Sequence, residues 1–343
     1  MNTIALDAMG SDLAPRPEIE GALQASREYG VKVLLVGQPA VVKAELGRHA
    51  RRGANVEIVP ASDVIAMRDA PMQAFRKKKD SSIHVAARLV RDGQAQAMVT
   101  AGNTGAAMAV SRFVLGTLPS VDRLALAAPF PTARGGTSVL LDVGANVDSR
   151  PEHLVQFAVM GEIYYRVIFG TRRPRVGLLS IGEEESKGNE QVRDTHDRLR
   201  KTPLNFVGNV EGKDVFAGNV DVIVCDGFIG NIALKISEGA AQQIGALLKS
   251  AMKSTIAAQV GSMLARSAFQ QVKKQIDYSE YGGAPLLGVR GVTVIGHGRS
   301  NANAIKNAIR VANELAGANV TEKIEQELST PAVRQHAQAG TAV

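Results

Sequence analysis

The chain has almost no sulfur chemistry to offer: one cysteine, Cys225, in 343 residues. A single thiol closes no internal disulfide. The opening MNTIALDAMG also lacks a basic stretch followed by a long apolar run, and the two features point to a reducing, cytoplasmic setting. Tryptophan is absent and aromatics make up 4%, too little for the stacking platforms that grip single-stranded nucleic acid, so no nucleic-acid partner is expected. No run approaches the ~18 apolar residues of a membrane span, which leaves only peripheral membrane contact. The six histidines are dispersed, and none is spaced with another histidine or with Cys225 as a zinc pair. Neither G-x-x-x-x-G-K-[ST] nor G-x-S-x-G occurs. The expectation is an enzyme with no metal, no cofactor and no covalent enzyme intermediate. Cys225, at a strand end before Asp226, reads as a small core residue rather than a nucleophile.

What is present is apolar, glycine-rich and basic. Hydrophobic residues make up 45% of the chain, enough for a sizeable core, and the formal net charge is +7, which favours acidic partners without choosing among them. Short apolar runs alternate with helical patterns. Strands are expected at Thr3–Leu6, Val31–Val36, Val56–Val59, Ala97–Thr100, Leu124–Ala128, Ser138–Asp142, Val176–Ile181, Asn205–Val207, Val220–Cys225 and Val292–Ile295. A helix is expected over Pro151–Phe169, capped by Ser149 and stopped by Gly170, and another from Ser300 past Ile309. This alternation predicts an α/β fold, a mostly parallel sheet covered by helices on both faces. No repeat or Pro/Ser-rich linker interrupts it, so residues 1–330 read as one domain or two interlocked subdomains. Residues 238–278 read as an inserted helical hairpin bending near Gly261, and residues 331–343 as a disordered tail.

Four apolar strands end in glycine- and asparagine-rich loops: Ala101-Gly102-Asn103-Thr104-Gly105, Val143-Gly144-Ala145-Asn146, Asp226-Gly227-Phe228-Ile229-Gly230-Asn231 and Gly296-His297-Gly298-Arg299-Ser300-Asn301. One such loop says little, because glycine also makes ordinary turns. Four at strand carboxyl ends predict a crevice for an anion, where glycine admits the ligand to the backbone and helix-start N–H groups face it. A fifth loop, Gly182 to Glu190, sets three adjacent glutamates, Glu183, Glu184 and Glu185, beside Lys187 and Asn189. It reads either as an acidic helix start or as a phosphate clamp.

In order, these stretches resemble the PlsX family of acyl-ACP:phosphate acyltransferases. The matching segments are LDAMGSD (Leu6–Asp12), KKDSS (Lys78–Ser82), AGNTGA (Ala101–Ala106), LLDVGAN (Leu140–Asn146), IGEEESKGNE (Ile181–Glu190), FVGNVEGKDVF (Phe206–Phe216), CDGFIGNIALK (Cys225–Lys235), DYSEYGGAPLLGV (Asp277–Val289) and HGRSNANAIKNAI (His297–Ile309). The family's first turn usually reads G-G-D-H-x-P, whereas this chain has Gly10-Ser11-Asp12-Leu13-Ala14-Pro15, so no histidine role carries over there. The resemblance implies a three-layer α/β/α fold similar to phosphotransacetylases and isocitrate/isopropylmalate dehydrogenases. It also implies a homodimer that passes a fatty acyl group from acyl carrier protein to inorganic phosphate. The acyl phosphate would then feed a membrane acyltransferase at the start of phospholipid synthesis.

Under that reading phosphate is assigned to Gly102, Asn103, Thr104, Gly105, Lys187, Arg299 and Ser300, with Asn146, Asn189 and Gly230 lining the site. Asn231 and nearby N–H groups are candidates for the oxyanion, and Asp226 or His297 for orienting phosphate or protonating the thiolate. The basic patch Arg76–Lys79 could steer the acidic carrier protein. Ile256, Val260, Met263, Leu264 and Phe269, flanked by Lys249, Lys253, Arg266, Lys273 and Lys274, suit dimer packing or peripheral membrane docking. The competing readings are a phosphotransacetylase using acyl-CoA, a metal- and NAD-dependent decarboxylating dehydrogenase, and a non-catalytic scaffold for lipid-synthesis enzymes.

Overall fold

Eleven apolar segments pair into one sheet in the computed structural model, which describes residues 1–267 and 278–338. The strands are β1 (Thr3–Asp7), β2 (Lys32–Gly37), β3 (Val56–Pro60), β4 (Ala97–Thr100), β5 (Ala125–Pro131), β6 (Thr137–Leu141), β7 (Val176–Leu179), β8 (Phe206–Val210), β9 (Val222–Val224), β10 (Ala284–Leu287) and β11 (Val292–Ile295). Their order is β3-β2-β1-β4-β11-β10-β5-β6-β9-β7-β8. Successive residues of a strand point to opposite faces. Ile4 and Leu6 of β1 enter one apolar core while Ala5 enters the other, and Val139 and Leu141 of β6 separate from Leu140 in the same way. Both faces are therefore covered, and the fold is a three-layer α/β/α arrangement.

The helix Pro151–Phe169 shows why the sequence pattern works. Proline occupies its first turn and Gly170 ends it in the left-handed region at φ 71°. Phe157 and Tyr164 on its inner face are fully buried, each stabilising the fold by about 1.5–3 kcal/mol. Its N-cap is Arg150 rather than the expected Ser149. The Ser149 N–H donates instead to Asp226 Oδ2 at 2.7 Å.

All ten expected strands form, with ends shifted by a few residues, and β10 is an addition. Pro285 disguises it, since proline has no N–H for a ladder. On the β5 side pairing involves only Leu286 and Leu287, while on the other side Pro285 stands in register with Val294 of β11. β10 is antiparallel to both its neighbours, and β5 and β6 form an antiparallel hairpin, whereas every other neighbouring pair is parallel. It follows that β6, β9, β7 and β8 run opposite to β1, β2, β4 and β11.

Two boundaries differ from expectation. The helical insertion starts earlier, as one helix over Gly227–Lys253 followed by another over Ile256–Leu264. The chain bends at Ser254-Thr255, where the Thr255 hydroxyl caps the second helix by accepting from Ala258 N at 3.0 Å, not at Gly261. Phe269, Lys273 and Lys274 lie outside the described residues. The tail assignment fails from its start: Pro331–Ala337 is helical, because Val333 and Ala337 are buried in the core against the helix Pro151–Phe169. Among the described residues no helix is long and apolar enough to cross a membrane.

Candidate functional site

At the carboxyl ends of β1, β4 and β11 three turns meet almost backbone to backbone. A Cβ added to Gly10 would lie 2.8 Å from Gly102 Cα and 2.6 Å from Asp7 Oδ2, closer than real side chains approach. Glycine at both positions is what lets the turns touch. Asp7 organises them from below. It is 2% exposed, its Oδ2 accepts from Thr100 Oγ1 at 2.8 Å, and its Oδ1 accepts from Met9 N at 3.2 Å. Burial pushes its carboxyl above the ordinary range, and hydrogen bonds from Ser82, Thr100 and Met9 oppose the shift. The third turn is laced in through Asp12 N donating to Gly298 O at 2.9 Å and Gly296 N donating to Thr100 O at 2.7 Å.

This edge gathers Gly102, Asn103, Thr104, Gly105, His297, Arg299 and Ser300. Asn103 shapes the turn: its Oδ1 caps the following helix by accepting from Ala106 N, and its Nδ2 donates to Met67 O and Asp69 O, all at 3.0 Å. Thr104 is exposed at the start of that helix, and Gly105 lies against Pro71. Ser300 is buried, and Arg299 and His297 are exposed. Arg299 N donates to His297 Nδ1 at 3.1 Å, so that nitrogen carries no proton in this arrangement.

A second group stands at the carboxyl ends of β6, β9 and β7. Its organiser is Asp142, fully buried. Oδ1 accepts from Leu126 N, Gly144 N and Ala145 N at 2.9, 3.2 and 3.0 Å, and Oδ2 from Asn146 N and Nδ2, both at 2.8 Å. Asp142→Asn would turn an amide N–H₂ toward these donors. It is expected to destabilise the protein by about 2–4 kcal/mol in urea unfolding, and a loss under about 1 kcal/mol would refute the organising role. Asn146 and Asp226 are likewise engaged with backbone: Asn146 Nδ2 also donates to Leu124 O at 2.7 Å, and Asp226 accepts from Phe228 N and Ser149 N. Asn189 caps the helix Glu190–Leu199 through Val192 N at 2.9 Å. Gly230 is packed under Asp142, and Asn231 is exposed against Gly144.

Lys187 is exposed, its stem lying over Gly182. Of the neighbouring glutamates, Glu183 pairs with Lys213 and Glu185 with Arg200, while the Glu184 carboxylate lies over Gly182 beside the Lys187 stem. Cys225 is buried, and burial, with Asp142 and Asp226 nearby, pushes its thiol up, away from the thiolate a nucleophile needs.

The five loops therefore form two groups at opposite edges of the sheet, not one crevice within a single copy, because β6 reverses direction after β5. The sequence reading also passed over the organisers Asp7, Thr100 and Asp142. The available signal was an aspartate at the end of an apolar strand directly before a glycine turn, as in LDAMG and LLDVG.

Comparison with known proteins places these observations. The sequence profile of the family described as fatty acid synthesis protein matches residues 2–323. A protein of Koribacter versatilis named phosphate acyltransferase is 59% identical over 333 residues, covering 95% of this chain and 93% of the relative. A phosphate acyltransferase of Geobacter sp. strain M21 is 55% identical over 326 residues, covering 95% and 92%. Among solved structures, a phosphotransacetylase from Streptococcus pyogenes superposes with a TM-score of 0.64 at 16% identity, covering 92% of this chain and 94% of that one. A 4-hydroxythreonine-4-phosphate dehydrogenase from Klebsiella pneumoniae superposes with a TM-score of 0.54 at 14% identity, covering 92% and 98%. At such identities these structures speak to the fold alone.

Proposed function

Because the chain belongs to the fatty acid synthesis protein family, the PlsX family that its motifs resemble, we propose that it transfers a fatty acyl group from acyl carrier protein to inorganic phosphate. The observation that carries the reading is the more than 50% identity, over nearly the whole chain, to relatives named phosphate acyltransferase. A phosphate oxygen attacks the thioester carbonyl, the C–O bond forms, the tetrahedral oxyanion collapses, and the C–S bond breaks to release a thiolate that takes up a proton. Phosphate, whose second pKa is about 7 (compare), is dianionic to a substantial fraction at neutral pH and needs no strong base. The protein must bind the dianion, align it with the carbonyl and stabilise the oxyanion.

In this reading Lys187 holds phosphate and Asn231, in the same group of turns, faces the oxyanion, while the 102–105 turn, Ser300, Arg299 and His297, which the sequence assigned to the same pocket, stand in the other group within one copy. Asn103, Asn146, Asn189 and Asp226 act by fixing the turns, since their side chains are bonded to backbone. Lys187→Ala is expected to raise the phosphate KM at least ~10-fold while the fold is retained; unchanged phosphate saturation would remove Lys187 from the site.

The carrier-protein donor is supported by a basic, apolar rim on the β1/β4 edge. Phe113 is 58% exposed and lies 5.2 Å from Phe75, whose ring carries Lys79 Nζ at 3.9 Å. Arg76, Lys77 and Arg112 are exposed around them, while Lys78 is occupied by Val64 O and Asp69. The second reading, a phosphotransacetylase acting on acyl-CoA, shares the fold. Purified protein given phosphate and long-chain acyl carrier protein should yield acyl phosphate, trapped as a hydroxamate. Product from acyl-CoA and none from the carrier would reverse the assignment.

The protein is further proposed to work as a cytoplasmic homodimer that contacts a membrane peripherally, handing its product to a membrane acyltransferase. The exposed Ile256, Val260, Met263 and Leu264 support that contact, and flotation with anionic vesicles measures it.

A further inference from the structure

Beside the first glycine turn, the Ser11 hydroxyl and both carboxyl oxygens of Glu18 are buried and make no hydrogen bond of ordinary geometry. Buried polar atoms are nearly always paired, so two such groups together call for an explanation. Resting on the acyl-transfer reading above, we propose that Glu18 is a positioning residue: its neutral carboxyl holds the turn after β1 against the turns after β4 and β11, and its ionisation releases them and slows the reaction.

The first argument is placement. Glu18 stands in the first turn of the helix Arg16–Tyr29 and is fully buried. The segment leading into this helix, Gly10 to Pro15, is the one that joins the three turns. Gly10 touches Gly102, and Asp12 N donates to Gly298 O. Ser11 stands between these two contacts, and its hydroxyl lies close enough to bear on the Glu18 carboxyl. One helical turn further on, Gly21 packs against Ala302 O and Ile305, at the start of the helix that follows Ser300. Glu18 therefore meets the first turn through Ser11 and stands one turn from the helix that carries the third.

The second argument is charge. The cations on the elements packed around this helix are engaged elsewhere. Arg16 pairs with Glu20, Lys32 of β2 with Glu57 of β3, Arg48 and His49 with Glu45 of the helix Pro39–Leu46, and Lys306 and Arg310 of the helix Ala302–Gly317 with Glu28 and Glu314. Arg27 donates to the carbonyls of Ala50 and Arg52. Lys43, Asp12 and, in the third turn, His297 and Arg299 are exposed. Among the described residues, the charge that bears on Glu18 is that of Asp7 on β1, and it is repulsive.

The consequence has a definite sign. A neutral carboxyl donates its proton to the Ser11 oxygen. An ionised one is left with a single hydroxyl and a like charge, and a buried carboxylate so placed must be hydrated. Admitting water moves Ser11, and with it the contacts of Gly10 and Asp12 on either side. Burial pushes the Glu18 carboxyl up to about 7. Turn order and activity are therefore full below that pH and are lost as pH rises through it.

Glutamine keeps the shape and a donor for Ser11 but never ionises. The test measures kcat/KM for phosphate, with long-chain acyl carrier protein, from pH 6 to 8 in wild type, Glu18→Gln and Glu18→Ala. The ratio of Glu18→Gln to wild type is free of the ionisation of phosphate itself. It is expected to rise ~10-fold over this range, because one unit above the midpoint about one copy in eleven is still neutral. Glu18→Ala, with neither donor nor charge, should be slower than Glu18→Gln by the same factor at every pH. A flat ratio of Glu18→Gln to wild type overturns the proposal, since a merely structural glutamate changes the rate and not its pH dependence. Amide hydrogen exchange, corrected for its intrinsic pH dependence, is read in parallel without substrate. Protection of residues 8–14 and 101–105 should fall ~10-fold from pH 6 to 8 in the wild type and stay level in Glu18→Gln. Level protection in the wild type also overturns the proposal. A wild-type protein that makes no acyl phosphate at any pH refutes the acyl-transfer reading instead, and exchange alone then decides whether Glu18 holds the turns.

Discussion

Gly230→Ala is expected to destabilise the protein by about 3 kcal/mol or more and to abolish acyl-phosphate formation. A methyl group there would lie well inside the carbonyl oxygen of Asp142 and 2.9 Å from Cys225 Sγ. The obstacle is backbone, so no side-chain rotation relieves it. The carbonyl belongs to the residue whose carboxylate collects the N–H groups of the 144–146 turn, which couples the displacement of the helix Gly227–Lys253 to collapse of the β6 turn. Gly227 is confined in the same way by Asn146 O and Asp142 Oδ2. The internal control is Gly245→Ala on the same helix. A Cβ at Gly245 meets nothing within 4 Å, and the change should stabilise the helix by up to about 1 kcal/mol. Urea unfolding of both variants decides the matter. If they shift in the same direction, the close approach at Gly230 is not what fixes that residue.

Much of the fold was legible because its strands are continuous apolar runs ended by glycine turns, a signal that survives without knowledge of neighbours. Val292–Ile295 and Ala97–Thr100 match the expected boundaries residue for residue. β10 was hidden because Pro285 and the preceding Gly282-Gly283 read as a turn. Strand direction was the larger loss, and it decided the site. Expecting strand-end loops to gather in one place assumed that the five strands ahead of them all run the same way within a mostly parallel sheet. Between Ala128 and Ser138 only nine residues intervene, fewer than the dozen or more that a parallel crossover needs. That spacing already signalled a hairpin. The observed turn is shorter still: Thr132 N donates to Gly136 O, and Gly135 takes φ 80°.

The two halves of the sheet use one device. A buried aspartate at the end of a central strand, Asp7 in one half and Asp142 in the other, accepts hydrogen bonds from a glycine-rich turn and holds it in place. Asparagines in the adjoining turns, Asn103 after β4 and Asn146 after β6, then tie those turns to neighbouring segments. Sequence reasoning placed the asparagines on the ligand because polar residues in glycine loops commonly face one. Their hydrogen bonds show that building such a loop already consumes an amide side chain. Lys187, Asn231 and Arg299 are exposed, and under the proposed reading they are the side chains that meet substrate.

Glu18→Gln is expected to stabilise the protein by about 3 kcal/mol at pH 8 and by little at pH 4.5. Glu18 lies in the first turn of the helix Arg16–Tyr29, is fully buried, and neither carboxylate oxygen has a hydrogen bond of ordinary geometry. Burial is the main reason its carboxyl is pushed up to about 7. The nearby Ser11 hydroxyl and its own backbone pull it down a little, and the charge of Asp7 adds to the rise. The folded state therefore keeps a proton that the unfolded chain, titrating near 4.5, releases. Stability contributed by this group falls as pH rises through the window from 4.5 to about 7 and is level beyond it. A carboxyl moved that far costs about 3 kcal/mol once ionised. Glutamine matches the protonated acid in shape and never ionises, so the variant should lose this slope. Asp7, also raised by burial, keeps a slope of the same sign in both proteins. Urea unfolding of the two proteins from pH 4.5 to 8.5 gives the difference directly. Parallel curves across that range would show that Glu18 reaches solvent or a cation in solution and carries no penalty.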